Sequence, residues 1–228
     1  MPLQIAVLLG IIEGLTEFLP VSSTGHLVLV GHWLGLSDDD PATSSFEIVV
    51  QLGAILAVVA HYRGLLAERA RGLFSGDARA VRLVAAVAIS FAPTAAVGLL
   101  LRKTIKAHLF GLLPVAIALI VGGVAMIAIG RVLRVKRPSE SGQTSTGAEG
   151  LEHVTPPRAL AIGIAQCLSL WPGASRAMCT IVAGQIVGLS TGTAAEFSFL
   201  LALPTLGAAT LYEGYKARAV LASHVGAG

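Results

Sequence analysis

Two stretches of this chain contain no charged residue, Leu83 to Leu101 and Ala107 to Gly130. A helix needs roughly 20 residues to cross the ~30 Å hydrocarbon core of a bilayer, and each stretch is about that long. In that medium only helices and closed barrels satisfy their own backbone groups. Continuous rather than alternating apolar runs argue against the barrel. Composition agrees: 54% of the 228 residues are hydrophobic and 13% are charged, whereas soluble domains carry roughly 25% charge. Too few charges remain to coat a water-soluble globule. The chain therefore reads as one all-α polytopic membrane domain, 1–228.

A third crossing is expected from about Ile48 to Tyr62, extended backwards through Ser44 to Glu47, and a fourth from Ala194 to Tyr212, which contains Glu196. Two further apolar regions are interrupted. Leu3 to Leu36 breaks near Pro20 at Pro-Val-Ser-Ser-Thr-Gly, and Ala159 to Leu189 breaks at Trp171 to Arg176. The pieces are about 15 residues each, short of the roughly 20 a crossing needs, so each region is predicted to be a re-entrant helical hairpin. Non-helical backbone at that depth must be buried in protein or line a wet cavity.

A shift of 153 positions relates the two hairpins. It pairs Ala6 with Ala159, Gly10 with Gly163, Ser22 with Ser175, Gly31 with Gly184 and Tyr62 with Tyr215, and gives thirteen identities over 57 positions. An internal duplication is expected, with repeat one at about 3–62 and repeat two at about 159–215. Helices 83–101 and 109–130 and a flexible cytoplasmic loop, 131–158, would connect them. The segments His61 to Arg82 and Arg131 to Arg158 each hold five basic residues, and Arg102 to His108 holds three. The positive-inside rule makes the first two cytoplasmic and the third external. Three crossings then separate the hairpins, so the repeats are inverted and the hairpins enter from opposite leaflets, an arrangement that builds midplane sites. The net charge of +3 lies in these short loops and does not indicate nucleic-acid binding. No removable signal peptide is expected, because no basic segment or cleavage pattern opens the chain. Cys167 and Cys179 lack metal or redox spacing and read as buried small residues.

Chemistry is expected where charge enters apolar sequence at a cost. Glu13 and Glu17 share one helix face at i, i+4, and Arg176 is the one basic residue of 16 inside a long apolar stretch. Each such charge costs about 2.5–3.5 kcal/mol at mid-bilayer. The acids could hold a divalent cation or position a proton. Ser22, Ser23 or Thr24 can cap the half-helix after Pro20, and the freed N–H groups there favour an anion. Pro172 to Arg176, with Ser175, repeats the design and adds a guanidinium that can grip phosphate bidentately. His26 follows one turn on, as a core hydrogen-bonding group or as a nucleophile or general acid/base. Asp38 to Asp40 reads as a solvated loop, and Glu47 and Glu196 as residues flanking their crossings.

The run EGLTEFLPVSSTGHL, Glu13 to Leu27, resembles the first signature of the undecaprenyl-diphosphate phosphatases, the bacitracin-resistance family, and PGASRAMCT, Pro172 to Thr180, resembles the second. SSFEIVVQLGAILAVV and EFSFLLALP are also similar to family segments. The resemblance implies hydrolysis of undecaprenyl diphosphate to the monophosphate lipid carrier of cell-wall synthesis, on the external face of the bacterial inner membrane, with a divalent cation, Mg or Ca, as cofactor. It places the acidic pair on Glu13 and Glu17, hydroxyls on Ser23 and Thr24, the histidine on His26, and the serine–arginine on Ser175 and Arg176. The implied partners are a polyprenyl diphosphate lipid and the membrane, with a homodimer as one arrangement. Ser23, His26 or water remain open as the nucleophile.

Departures from the family pattern are Ala177, where serine is usual, and Met178, where a small residue is usual and a narrower site is expected. The alternative function is a transporter that flips polyprenyl phosphate, since inverted repeats around a midplane anion site suit alternating access. A phosphatidate-type phosphatase would need a histidine about six residues after Arg176, where Val182 stands.

Overall fold

The structure, a computed structural model, describes residues 1–36, 41–109, 111–135 and 150–225. Its helices are α1 (Leu3–Thr16), α2 (Ser23–Trp33), α3 (Pro41–His61), α4 (Arg63–Ser75), α5 (Ala78–His108), α6 (Leu112–Val135), α7 (Pro156–Gln166), α8 (Arg176–Ile186) and α9 (Thr191–Val225), with short 3-10 turns at Leu151–His153 and Cys167–Leu170. The protein is an all-α polytopic membrane protein. Ala78–Ile105, Leu112–Arg131 and Thr191–Tyr215 are each long and apolar enough to cross a bilayer, and the bent pair Val49–His61 and Arg63–Ser75 adds a fourth span if counted as one. Leu100, Leu113, Val124 and Leu211 are largely exposed, the outward apolar face that lipid contact requires.

The helices of the two broken regions have 14, 11, 11 and 11 residues. At 1.5 Å per residue they reach about 16–21 Å, short of a crossing. The shift of 153 carries Ser23–Trp33 onto Arg176–Ile186, so α2 and α8 occupy matching positions in sequence.

Several boundaries differ from those the hydropathy suggests. The run 83–101 is part of a longer helix, and the helix predicted at 109–130 starts at Leu112 and runs on to Val135, because backbone hydrogen bonding continues past the point where apolar residues stop. Asp77 caps α5 five residues before Arg82, its Oδ2 accepting from the Ala80 N–H at 3.1 Å. The basic segment Arg102 to His108, read as a turn, is the last two turns of the same helix. Most of His61 to Arg82, read as a loop, is α4 and the first turn of α5. The chain bends by 74° between α3 and α4, and Gly76, left-handed at φ 73°, ends α4. Of the predicted loop 131–158, residues 131–135 extend α6 and 150–158 form the 3-10 turn and the start of α7. The remainder lies outside the described residues, as do Asp38 to Asp40 and the Glu47 side chain.

The core lies on the second hairpin. Ala159 and Ile162 of α7, Ala183 of α8, and Phe197, Leu200 and Leu201 of α9 pack with Leu83 and Ala86 of α5. The tightest crossing is between α5 and α7, where small residues let the backbones touch. The Ser90 hydroxyl donates to the Ala159 carbonyl at 2.6 Å and the Thr94 hydroxyl to that of Gly163 at 3.3 Å. Residues i and i+4 of one helix thus meet i and i+4 of the other, the small-residue mode of membrane helices. This crossing fixes α7, and with it the break that leads into α8.

Candidate functional site

Helix α1 stops at Thr16, and Glu17 is its C-cap, its N–H bonded to the Glu13 carbonyl. The chain turns through Pro20 and enters α2 at Ser22, whose hydroxyl accepts from the Gly25 N–H at 3.2 Å. Ser22 is the single non-glycine residue with positive φ, 68°, among the described residues. In the second hairpin Ser175 caps α8, accepting from the Met178 N–H at 3.2 Å, with ordinary extended dihedrals. There the left-handed position is Gly173, at φ 96°, where a Cβ would lie 2.6 Å from the Val115 carbonyl oxygen of α6. The two predicted phosphate ligands Ser22 and Ser175 therefore already serve as N-caps. Replacing Ser22 with alanine keeps the unfavourable φ and removes the cap, and should cost about 1–2 kcal/mol. Glycine accommodates the φ and should stay within about 0.5 kcal/mol of wild type. Chemical unfolding in detergent reads both.

The first helical residues of α2 and α8 both grip Glu17. The Ser23 hydroxyl donates to Glu17 Oε2 at 2.5 Å, and Arg176 Nη2 donates to Oε1 at 3.0 Å. The Glu17 and Arg176 side chains are each 9% exposed, so the pair is shielded from water. Arg176 Nη1 donates to the Ser198 carbonyl of α9 at 3.1 Å. The Thr180 hydroxyl, bonded to the Arg176 carbonyl at 2.9 Å, lies 2.6 Å from the Ser198 hydroxyl. Phe18 and Phe199 stack edge-on at 5.4 Å beside this link. Glu17 thus sits between two half-helix N-termini, where partial positive charge favours an anion.

The remaining predicted residues are placed as follows. Glu13 is buried one turn before Glu17. His26 is half-buried, its Nδ1 2.7 Å from the Ser22 carbonyl. A carbonyl only accepts, so Nδ1 carries the proton and a neutral ring presents the Nε2 lone pair. Thr24 is exposed and is not joined to the Glu17 network. Glu196 lies near Tyr62, at the bend between α3 and α4. Met178 does not narrow the site as the sequence suggests. Its sulfur and Cε lie against α6, 3.5 Å from where a Cβ on Gly122 would stand. Ala177 is fully buried. Ser198 and Thr180 were not singled out from the sequence. The Ser198 contact to Arg176 is made by a backbone carbonyl, which has no side-chain signature, though the duplication does align Ser198-Phe199 with Ser45-Phe46.

Among the described residues no group of three or more His, Cys, Asp or Glu converges. A cation on Glu13 and Glu17 would have hard carboxylate donors and would complete its shell from phosphate oxygens and water. That donor set fits Mg²⁺, which commonly binds through one or two carboxylates plus substrate phosphates.

A family model described as bacitracin resistance protein BacA matches residues 6–227. An undecaprenyl-diphosphatase of Sorangium cellulosum is 59% identical over 208 residues, which cover 91% of this chain and 65% of the relative. Undecaprenyl-diphosphatases of Nitrosomonas eutropha and Rhodospirillum rubrum are 48% and 46% identical, covering 96% and 95% of this chain and 75% and 74% of their own lengths. The chain spans about two thirds to three quarters of the length of these relatives.

Proposed function

The chain belongs to the BacA family of bacitracin resistance proteins, and on that premise we propose that it hydrolyses undecaprenyl diphosphate to undecaprenyl phosphate and inorganic phosphate. The reaction recycles the lipid carrier of cell-wall synthesis and takes place at the external face of the bacterial inner membrane. The observation that carries this reading is the grip of Ser23 and Arg176, one from each hairpin, on Glu17. A base, a hydroxyl and a guanidinium so arranged are the parts that attack on phosphorus requires.

Arg176 and the N–H groups opening α2 and α8 bind the diphosphate oxygens and stabilise charge that grows on them. The hydrogen bond from Ser23 to Glu17 supports Ser23 as nucleophile and Glu17 as its base. The serine oxygen forms a bond to the terminal phosphorus, the bond to the bridging oxygen breaks, and undecaprenyl phosphate leaves with those electrons. The serine proton passes to Glu17. Water then attacks the phosphoserine phosphorus and gives a proton to Nε2 of His26; the bond from phosphorus to the serine oxygen breaks, Glu17 returns its proton to that oxygen, and free phosphate departs. Glu17 and Arg176 cancel in charge, so a bound diphosphate leaves the site strongly negative. A divalent cation held by Glu13 and Glu17 would supply the missing positive charge.

Purified protein in detergent should release inorganic phosphate from undecaprenyl diphosphate, and a chelator should stop it. Protein that binds the lipid and releases no phosphate would discard hydrolysis and leave lipid transport.

A further inference from the structure

We propose that a cleft between α4, the start of α5 and the 3-10 turn before α7 is a binding site for the phosphate of an anionic phospholipid headgroup. The cleft is lined by Arg69, Arg79, Arg82, Leu83, Leu151 and Glu152 and encloses about 30 Å³. That volume takes the tip of a phosphate rather than a whole soluble ligand. Its lining holds three guanidinium groups and one carboxylate, and the nearby acids Glu68 and Asp77 reach only Arg69. Arg69 Nε is buried without an acceptor among the described residues, and its Nη1 makes only long contacts, 3.4 Å to Glu68 and 3.7 Å to Asp77. Neither Arg79 nor Arg82 has an ion-pair partner among the described residues. Guanidinium groups only donate, so the cleft offers more donors than its one carboxylate, Glu152, can satisfy.

Its position selects a lipid. Leu83 is the first residue of the uncharged run that forms the centre of α5, and Arg82 is the last charge before it. The cleft therefore lies where the chain passes from the headgroup layer into hydrocarbon. The 74° bend after α3 turns α4 away from the crossing direction. Phe74, 94% exposed, and Leu73 lie at the end of α4, apolar side chains suited to the headgroup–acyl boundary beside a basic cluster. Basic pockets at membrane-helix boundaries bind anionic headgroups in this way.

The full chain is reconstituted in nanodiscs of phosphatidylcholine with a minor fraction of phosphatidylglycerol, and retained lipid is counted by native mass spectrometry. Wild type is expected to retain phosphatidylglycerol preferentially. Each arginine near a membrane surface contributes about fivefold, so Arg79→Gln with Arg82→Gln should lower retention roughly thirtyfold. Glu152→Gln, which removes the carboxylate from the cleft, should raise it several-fold, a gain that misfolding cannot produce. Phosphate release from undecaprenyl diphosphate should be unchanged in both. No preference in wild type, or unchanged retention in the double variant, overturns the site. Displacement of the lipid by millimolar inorganic phosphate overturns the lipid assignment.

Discussion

Arg176→Ala should lower phosphate release from undecaprenyl diphosphate by at least about 10³-fold, the scale on which a transition-state arginine acts in phosphoryl transfer. The variant should also be less stable by about 3–5 kcal/mol, because it leaves the Glu17 carboxylate buried without its counter-charge. The two losses can be separated. Glu17→Gln combined with Arg176→Met removes both charges, so the folding penalty should largely disappear while activity stays absent. Arg176→Lys preserves the charge, but one ammonium cannot span from Glu17 to the Ser198 carbonyl, as the two guanidinium nitrogens do at 3.0 and 3.1 Å. Its stability should lie near wild type and its rate near that of the alanine variant. Phosphate release within tenfold of wild type in Arg176→Ala would remove this residue from the chemistry.

The parts of the site that could be read from the sequence are those whose signal is local. Pro20, Ser22 and the glycines mark the breaks because they set backbone angles within a few residues, and charges in apolar helices announce themselves by their cost. The joining of Glu17 to Arg176, 159 positions apart, needs the duplication as well, since only a paired architecture suggests that the breaks meet. What was misread follows from physics that hydropathy does not measure. Hydropathy reports the preferred solvent of a side chain, so α5 was cut at its charged ends although its hydrogen bonds run on. The five arginines of His61 to Arg82 suggested a loop, whereas a helix in the headgroup layer is also basic. Ser22 and Ser175 carry the same residue types as a phosphate ligand and a helix cap, and only the structure assigns their hydroxyls to the caps. The crossing of α5 on α7 was hidden for a different reason. Small residues at i, i+4 are visible in either helix, but nothing in the sequence names the partner.

That crossing sets the largest expected effect on stability. A Cβ at Gly163 would stand 2.3 Å from the Ser90 carbonyl oxygen and 2.7 Å from its Cα. Both are backbone atoms and cannot swing aside, so even Gly163→Ala must drive α5 and α7 apart. Separation lengthens the Ser90–Ala159 and Thr94–Gly163 hydrogen bonds and opens the packing of Ile162 against Ala86 and Phe197. We expect Gly163→Ala to cost about 3 kcal/mol, the upper end of overpacking penalties, and Gly163→Val to yield no folded protein. Ser90→Ala, which deletes one interhelical hydrogen bond and leaves the approach intact, should cost only about 0.6 kcal/mol. Gly53 of α3 is the control, with no heavy atom within 4 Å of its would-be Cβ. There alanine brings only better helix propensity and should stabilise by about 0.5–1 kcal/mol. Unfolding in detergent, followed by circular dichroism, ranks the four variants. If Gly163→Ala matched Gly53→Ala, the helices would not touch at this point, and the second hairpin would need some other anchor to hold Arg176 against Glu17.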